Sequence, residues 1–425
     1  MLHMTLALAI FVGTYVLIMT EWINKMTAAL LGGFLIVVFG IVDQGRAFAA
    51  VDWNVIFLLI GMMLVMGVLK ETGIFQYIAI KTAKLAKASP LRIMLLMFIV
   101  TATVSAFLDN VTTVMILVPV ALLIAGELKI SPVPFIITMA IASNIGGTAT
   151  MIGDPPNVLI GSSTDYSFLD FIYNLTPVII VIMIGSLGLT WLFYRKGMKV
   201  SNENRARLME YREENLIKNR KLLHRSLIVI VLMLAAFVLQ DVIHLKIATI
   251  AMIAGLVMMI FSNRKRVDHF LSHDIDWATI FFFIGLFIIV ESLIETGFIE
   301  MLSRQIVKAS GNNLKMASLI ILWFSGVFSA LIDNVPFVTT MIPLIKDIGT
   351  HFSREAMHPV WWSLSLGACL GGNGTLIGAS ANVVSIGIAH KNGFPIKFMD
   401  FTRIGLVYTL NSLLVSTLYI LLRYF

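Results

Sequence analysis

Charge is scarce in this chain. Asp, Glu, Lys and Arg make up 13% of its 425 residues, while 58% are hydrophobic. Soluble domains carry roughly 25% charged residues, so a water-exposed globular fold is excluded. Cysteine is scarcer still. Cys369 stands alone, which rules out an internal disulfide, a cysteine-based zinc site and an iron–sulfur cluster. The eight histidines (His3, His224, His244, His269, His273, His351, His358 and His390) fall near the ends of apolar runs or in loops, so none is placed for a proton relay at mid-membrane. No nucleophile–base pair, metal cluster or ATP-binding motif is present. An enzyme is therefore not expected, no cofactor is required, and a separate ATPase subunit is possible but not implied. The net charge of +7 sits between apolar spans, which points to membrane topology rather than nucleic acid.

What the chain does have is long apolar runs, several approaching the roughly 20 residues that cross a bilayer as a helix. It also repeats itself. DWNVIFLLIGMMLVMGVLKETG from Asp52 returns from Asp276 as DWATIFFFIGLFIIVESLIETG, with ten of 22 positions identical. SAFLDNVTTVMILVP (Ser105–Pro119) returns as SALIDNVPFVTTMIP (Ser329–Pro343), and GGTATMIGDPPN (Gly146–Asn157) as GGNGTLIGASAN (Gly371–Asn382). Two halves of one plan in a membrane chain are the mark of a secondary transporter.

Each half reads as five crossings and one hairpin. The first repeat is 1–194: scaffold spans within 3–70 (3–20, 26–42, 54–70), a hairpin at 92–125, a broken helix at 133–162 and a span at 168–194. A polar connector, 195–225, follows, either a plain cytoplasmic link or a docking segment. The second repeat is 226–425: scaffold spans within 226–294 (226–243, 246–262, 277–294), a hairpin at 315–346, a broken helix at 358–389 and a span at 401–423. The first span is read as retained rather than cleaved as a signal peptide. Segments 74–89 and 298–310 read as surface helices tying each hairpin to the preceding span. Each hairpin segment is too short for two crossings and too polar at its centre for one, so a re-entrant hairpin is expected. Five crossings per half invert the second repeat. With both termini outside, 23 of the 31 Lys and Arg fall in cytoplasmic loops, as the positive-inside rule favours. The expected fold is an all-α integral membrane protein of two inverted-topology repeats, multi-pass in the plasma membrane.

The chemistry sits at the repeated polar patches. Asp109-Asn110 and Asp333-Asn334 occupy equivalent hairpin tips. An intramembrane carboxylate needs a proton, a bound cation or hydrogen-bond partners. Each Asp either caps the following helix arm or binds a coupling ion, and one residue can do both. Thr112 and Thr113 are replaced by Pro336 and Phe337, so the tips are not equivalent. The second constellation is the pair of glycine breaks, with Asn144, Gly146, Gly147, Thr148 and Asn157 in one half and Gly371, Gly372, Asn373, Thr375 and Asn382 in the other. Helix breaks at membrane depth free backbone groups for ions and substrates. The run is not a phosphate loop, because no Lys-Ser/Thr follows it and no strand precedes it. Asp154 has no acidic counterpart, since Ala379 stands in its place; a helix-start cap and a direct role both remain open. Ser105 and Ser329 are open between packing and binding. Glu71 and Glu295 read as interfacial, and Glu291 either faces a cavity or snorkels.

DNVTT at Asp109–Thr113, NIGGTATMIGDPPN at Asn144–Asn157 and DNVPFVTTMIP at Asp333–Pro343 resemble the arsenite permease and P protein family, in its P protein-like branch, within the ion transporter superfamily. The resemblance implies that superfamily's fold, with a scaffold and a moving transport part, and a homodimer meeting through the scaffold. It places the binding site at both hairpin tips and both breaks. The symporter branch uses Ser-Asn-Thr at its tips; here an Asp precedes each Asn, which counts against a dicarboxylate. The expected function is a secondary transporter coupled to H⁺, or alternatively Na⁺, with Asp109 and Asp333 as proton carriers. It would export arsenite or antimonite, or move a small inorganic anion, by an elevator-like movement. The alternative is a sodium/proton antiporter, with a dicarboxylate/sodium symporter or a passive anion channel behind it.

Overall fold

The computed structural model describes residues 2–20, 22–196, 200–262, 267–309, 313–350, 352–353 and 355–425. Arg264, Lys265 and Arg266, counted above as cytoplasmic charges, lie outside the described residues, as do His351 and the connector's Lys199. The first half runs α1 (Leu2–Thr20), α2 (Lys25–Val38), α3 (Trp53–Glu71), α4 (Ile74–Leu85), α5 (Pro90–Phe107), α6 (Asn110–Leu128), α7 (Val133–Gly147), α8 (Pro155–Ser163) and α9 (Phe168–Tyr194). After α10 (Asn202–Glu210) the order repeats: α11 (Arg220–Val238), α12 (Ile247–Phe261), α13 (Trp277–Glu295), α14 (Phe298–Ala309), α15 (Leu314–Leu331), α16 (Asn334–Gly349), α17 (His358–Gly371), α18 (Ser380–Lys391) and α19 (Phe398–Tyr424). Among the described residues nine helices are long and apolar enough to cross a membrane, and α2, α7 and α12 are shorter apolar helices.

Packing follows the repeat. In the scaffold, α2 lies against α13 and its counterpart α12 against α3. In the other body, α5 packs on α7 and α15 on α17, while α6 meets α18 and α16 meets α8. Each half therefore completes itself on the other. The scaffold crossings are very close. A Cβ on Gly61 would lie 2.6 Å from the Ala251 carbonyl carbon, and one on Gly285 would lie 2.5 Å from that of Ala29. Small residues that let backbones touch are the usual means of helix association in lipid, where apolar burial gives little drive.

The hairpins are longer than the sequence suggested. Their arms hold 18 and 19 residues in the first and 18 and 16 in the second, about 24–28 Å each at 1.5 Å per residue. Arm length alone would permit a crossing; what marks them as hairpins is that both tips dock on the helix breaks. The span expected at 133–162 is interrupted at 148–154, and that at 358–389 between Gly371 and Ser380. Helix α7 is buried on every side, as an all-round apolar helix must be.

The connector docks on the first half. Lys84 bonds the Glu213 carboxylate at 2.6 Å and the Tyr211 carbonyl at 3.0 Å. The Lys218 amide donates to Thr72 at 2.9 Å, and Asn204 donates to the Leu128 carbonyl at 3.2 Å. The Lys84 ammonium holds Glu213 below the usual carboxylate range. Gly73 turns with φ +81°, and any side chain there would collide with the Leu216 carbonyl.

Gly61→Leu is expected to overpack the α3–α12 crossing at a cost of about 1–3 kcal/mol or more. Gly188→Ala, where nothing lies within 4 Å of the added carbon, should be neutral. Thermal unfolding of the two purified variants checks this.

Candidate functional site at the hairpin tips and helix breaks

Each hairpin turns because an Asp stops one helix and starts the next. Leu108 and Ile332 are extended, and Asp109 and Asp333 follow as N-caps. Asp109 accepts the amides of Val111 and Thr112 at 2.9 and 3.0 Å and also the Thr112 hydroxyl. Asp333 accepts the Val335 amide at 3.1 Å. Pro336, in the place of Thr112, has neither an amide hydrogen nor a hydroxyl. The Asp333 oxygen left over takes the Ser380 hydroxyl at 2.7 Å and lies 3.5 Å from the Lys25 ammonium.

The tips are sewn to the breaks. The Asn110 amide donates to the Gly153 carbonyl at 3.1 Å and the Asn334 amide to Gly378 at 3.2 Å. The backbones here are in contact: a Cβ on Gly153 would lie 2.5 Å from the Ser105 carbonyl oxygen, and one on Gly378 2.8 Å from that of Ser329. Ser105 and Ser329 donate to the carbonyls of Ser143 and Ala368 at 2.7 and 2.5 Å, pinning arm to broken span. Carbonyls freed by each break are taken by asparagine. Asn157 donates to Thr148 and Thr150 at 3.1 and 2.9 Å, and Asn382 donates to Gly372 and Thr375 at 2.8 and 2.9 Å.

Between the halves lies a polar hub. Asn144 accepts from Asn110 at 3.1 Å and donates to Asn373 and Asn382 at 2.9 and 3.0 Å. Ser365 donates to Asn157 at 2.6 Å. Asp154 stands at the N-cap position of α8 but makes no cap bond. Its carboxylate, fully buried, instead accepts Asn110 at 3.1 Å and Asn334 at 3.3 and 3.4 Å, one donor from each tip. Among the described residues no Lys, Arg or His forms an ion pair with it.

A cavity of about 780 Å³ reaches both tips. Asp109, Asn110, Thr112, Asp154, Asp333 and Asn334 line it. Of the other candidates, Thr113, Asn144, Gly146, Gly147, Thr148, Asn157, Gly371, Gly372, Asn373, Thr375 and Asn382 lie behind that wall. A Cβ on Gly371 would lie 2.5 Å from the Gly326 carbonyl oxygen, so close packing accounts for it. The cavity wall also carries Asp274, Asp276, Lys25 and Lys70, giving five carboxylates against two ammonium groups. Its lining includes the start of α13 and the second tip. On the opposite face the equivalent approach is latched, with Ser162 of α8 donating to Asp52 at 2.5 Å. Ser162 has Gly387 as its counterpart, and the Asp276 carboxylate accepts from Thr279 of its own turn. Glu291 does not line the cavity, and Glu295 pairs with Arg46. Cys369 is a buried packing residue, 3.7 Å from the Asn157 side-chain oxygen. Lys25, Ser365 and Ser380 were missed from sequence. The available signal was Pro336, which leaves Asp333 short of the partners Asp109 has.

Residues 15–367 match the family model described as citrate transporter. The chain belongs to that family. An uncharacterized transporter of Mycobacterium bovis is 40% identical over 99% of this chain and 98% of its own length. The P protein of Sus scrofa is 31% identical over 99% of this chain and 60% of its own length, in keeping with the P protein resemblance of the motifs. The YdaH transporter of Alcanivorax borkumensis has a similar fold, with a TM-score of 0.59 at 16% identity over 91% of this chain and 87% of that one. This citrate-transporter-family chain is thus a multi-pass membrane transporter, and its relatives are transporters rather than enzymes.

Asn144→Ala should leave the Asn110, Asn373 and Asn382 amides short of a partner, costing about 1–3 kcal/mol for each group left unpaired. A thermal midpoint several degrees below that of the parent checks it; an unchanged midpoint would mean that the hub does not join the halves.

Proposed function

We propose that the chain is a secondary active transporter driven by H⁺ or Na⁺, with Asp154 and Asp109 as the groups that take the coupling ion. The observation that carries this reading is the Asp154 carboxylate, buried, unpaired with any described cation and held by one asparagine from each tip. Such a group needs a proton or a metal cation before it can move through a low-dielectric barrier. Unequal faces support alternating access: Ser162 bonds Asp52 on one side, and Gly387, with no side chain to bond Asp276, stands at the corresponding position on the other. With the N-terminus outside, the side without that bond is cytoplasmic. The tips and breaks form one bonded body that would travel as a unit past the scaffold, and a plasma-membrane homodimer would hold the scaffold still.

For substrate, the excess of carboxylates disfavours a bare anion. Arsenite near neutral pH is the uncharged trihydroxide, and asparagine, threonine and backbone groups suit its hydroxyls. Any arsenic binding is thiol-independent, since one cysteine cannot make a three-thiolate site. The same carboxylate excess favours sodium/proton antiport as the second reading. Citrate, named for the family, would have to enter with enough protons or cations to offset its charge.

The test is internal pH in proteoliposomes of the purified chain, challenged separately with arsenite, Na⁺ and citrate. Arsenite should move internal pH and Asp154→Asn should abolish the response while the protein stays folded. A response to Na⁺ alone would make the chain a cation antiporter; an unaltered response in Asp154→Asn would contradict the reading.

A further inference from the structure

We propose that Lys25 is a built-in countercharge that takes the place of an exchangeable cation at the second hairpin tip. Its ammonium donates to the Ser380 hydroxyl at 2.7 Å, lies 3.5 Å from Asp333 and sits 5.3 Å from the Phe282 ring centre. Ser380 in turn donates to Asp333 at 2.7 Å. These are the contacts a bound monovalent cation would seek: a carboxylate, a hydroxyl and an aromatic face.

The repeat provides the internal comparison. The crossings Gly33–Gly285 and Gly255–Gly61 align α2 with α12, which puts Ile247 opposite Lys25. Ile247 is buried and apolar, and Asp109 has no ion pair among the described residues. One tip therefore carries its own cation and the other does not. Lys25 belongs to α2, which packs on α13 in the scaffold, whereas Asp333 and Ser380 belong to the other body. Tyr15 of α1 adds a second tether, donating to the Pro336 carbonyl at 2.6 Å. The pair thus spans the two bodies and must part when they slide. Its consequence, that Asp333 needs no bound cation while its tip faces Lys25, rests on the coupled-transport reading; the site itself does not.

The test needs no transported substrate. The thermal midpoint of the purified full chain is followed against NaCl replacing choline chloride at constant ionic strength, and against pH. Lys25→Met keeps the side-chain stem but empties the site of charge, so Asp333 should recruit Na⁺ or H⁺. The linkage slope should then steepen by about one bound cation over the parent in one of the two titrations. Lys25→Arg and the double variant Lys25→Met/Asp333→Asn should follow the parent. Parallel slopes for Lys25→Met and the parent in both titrations would overturn the proposal. So would an equal gain in the double variant. Neither result would bear on Asp154, whose test is proton movement.

Discussion

A helix broken inside a membrane protein leaves backbone carbonyls and amides that water cannot satisfy, and the centre of this structure is organised around that requirement. The breaks at 148–154 and 372–379 are closed by asparagine amides, by the Thr176 hydroxyl on the Ala149 carbonyl and by the tips of two hairpins, while Ser105 and Ser329 pin the hairpin arms to the broken spans. Once satisfied in this way, the breaks, tips and arms are hydrogen-bonded into one body. Under the proposed coupled transport, that body would move as a unit with its remaining charge neutralised, which links the structural requirement to ion coupling.

The two halves share the scheme but not the chemistry. Asn144 has Cys369 as its counterpart, Asp154 has Ala379, Thr112 has Pro336 and Ser162 has Gly387. The repeated residues, Asn157 with Asn382 and Ser105 with Ser329, hold the fold. The residues that differ decide where charge resides and which face is latched. Among the described residues, these differences place the lone buried carboxylate in one half, leave Asp333 an oxygen free for Lys25 and make the contact at each face unequal.

Much of the fold was legible because both the apolar runs and the repeats are strong signals. Spans 54–70, 168–194 and 277–294 lie within two residues of the helices observed. Helix α11 starts earlier than expected, at Arg220, because basic side chains at a helix end can reach polar surroundings while the helix continues. The site was legible in composition but not in division of labour. Sequence shows that Asp109 and Asp333 repeat; it does not show that both cap helices or that one is ion-paired. Lys25 was not picked out, because its partners Asp333 and Ser380 lie more than 300 residues away in sequence. Asp154 was weighed as a possible cap, and only the approach of both tips shows that its oxygens face asparagine instead.

The central claim is that the buried Asp154 carboxylate changes its bound proton or cation as the transporter works. Infrared difference spectroscopy of reconstituted protein, on adding Na⁺ or changing pH, tests it directly. The account requires a carboxyl band that responds in the parent and is missing in Asp154→Asn. Identical difference spectra from the two proteins would contradict it.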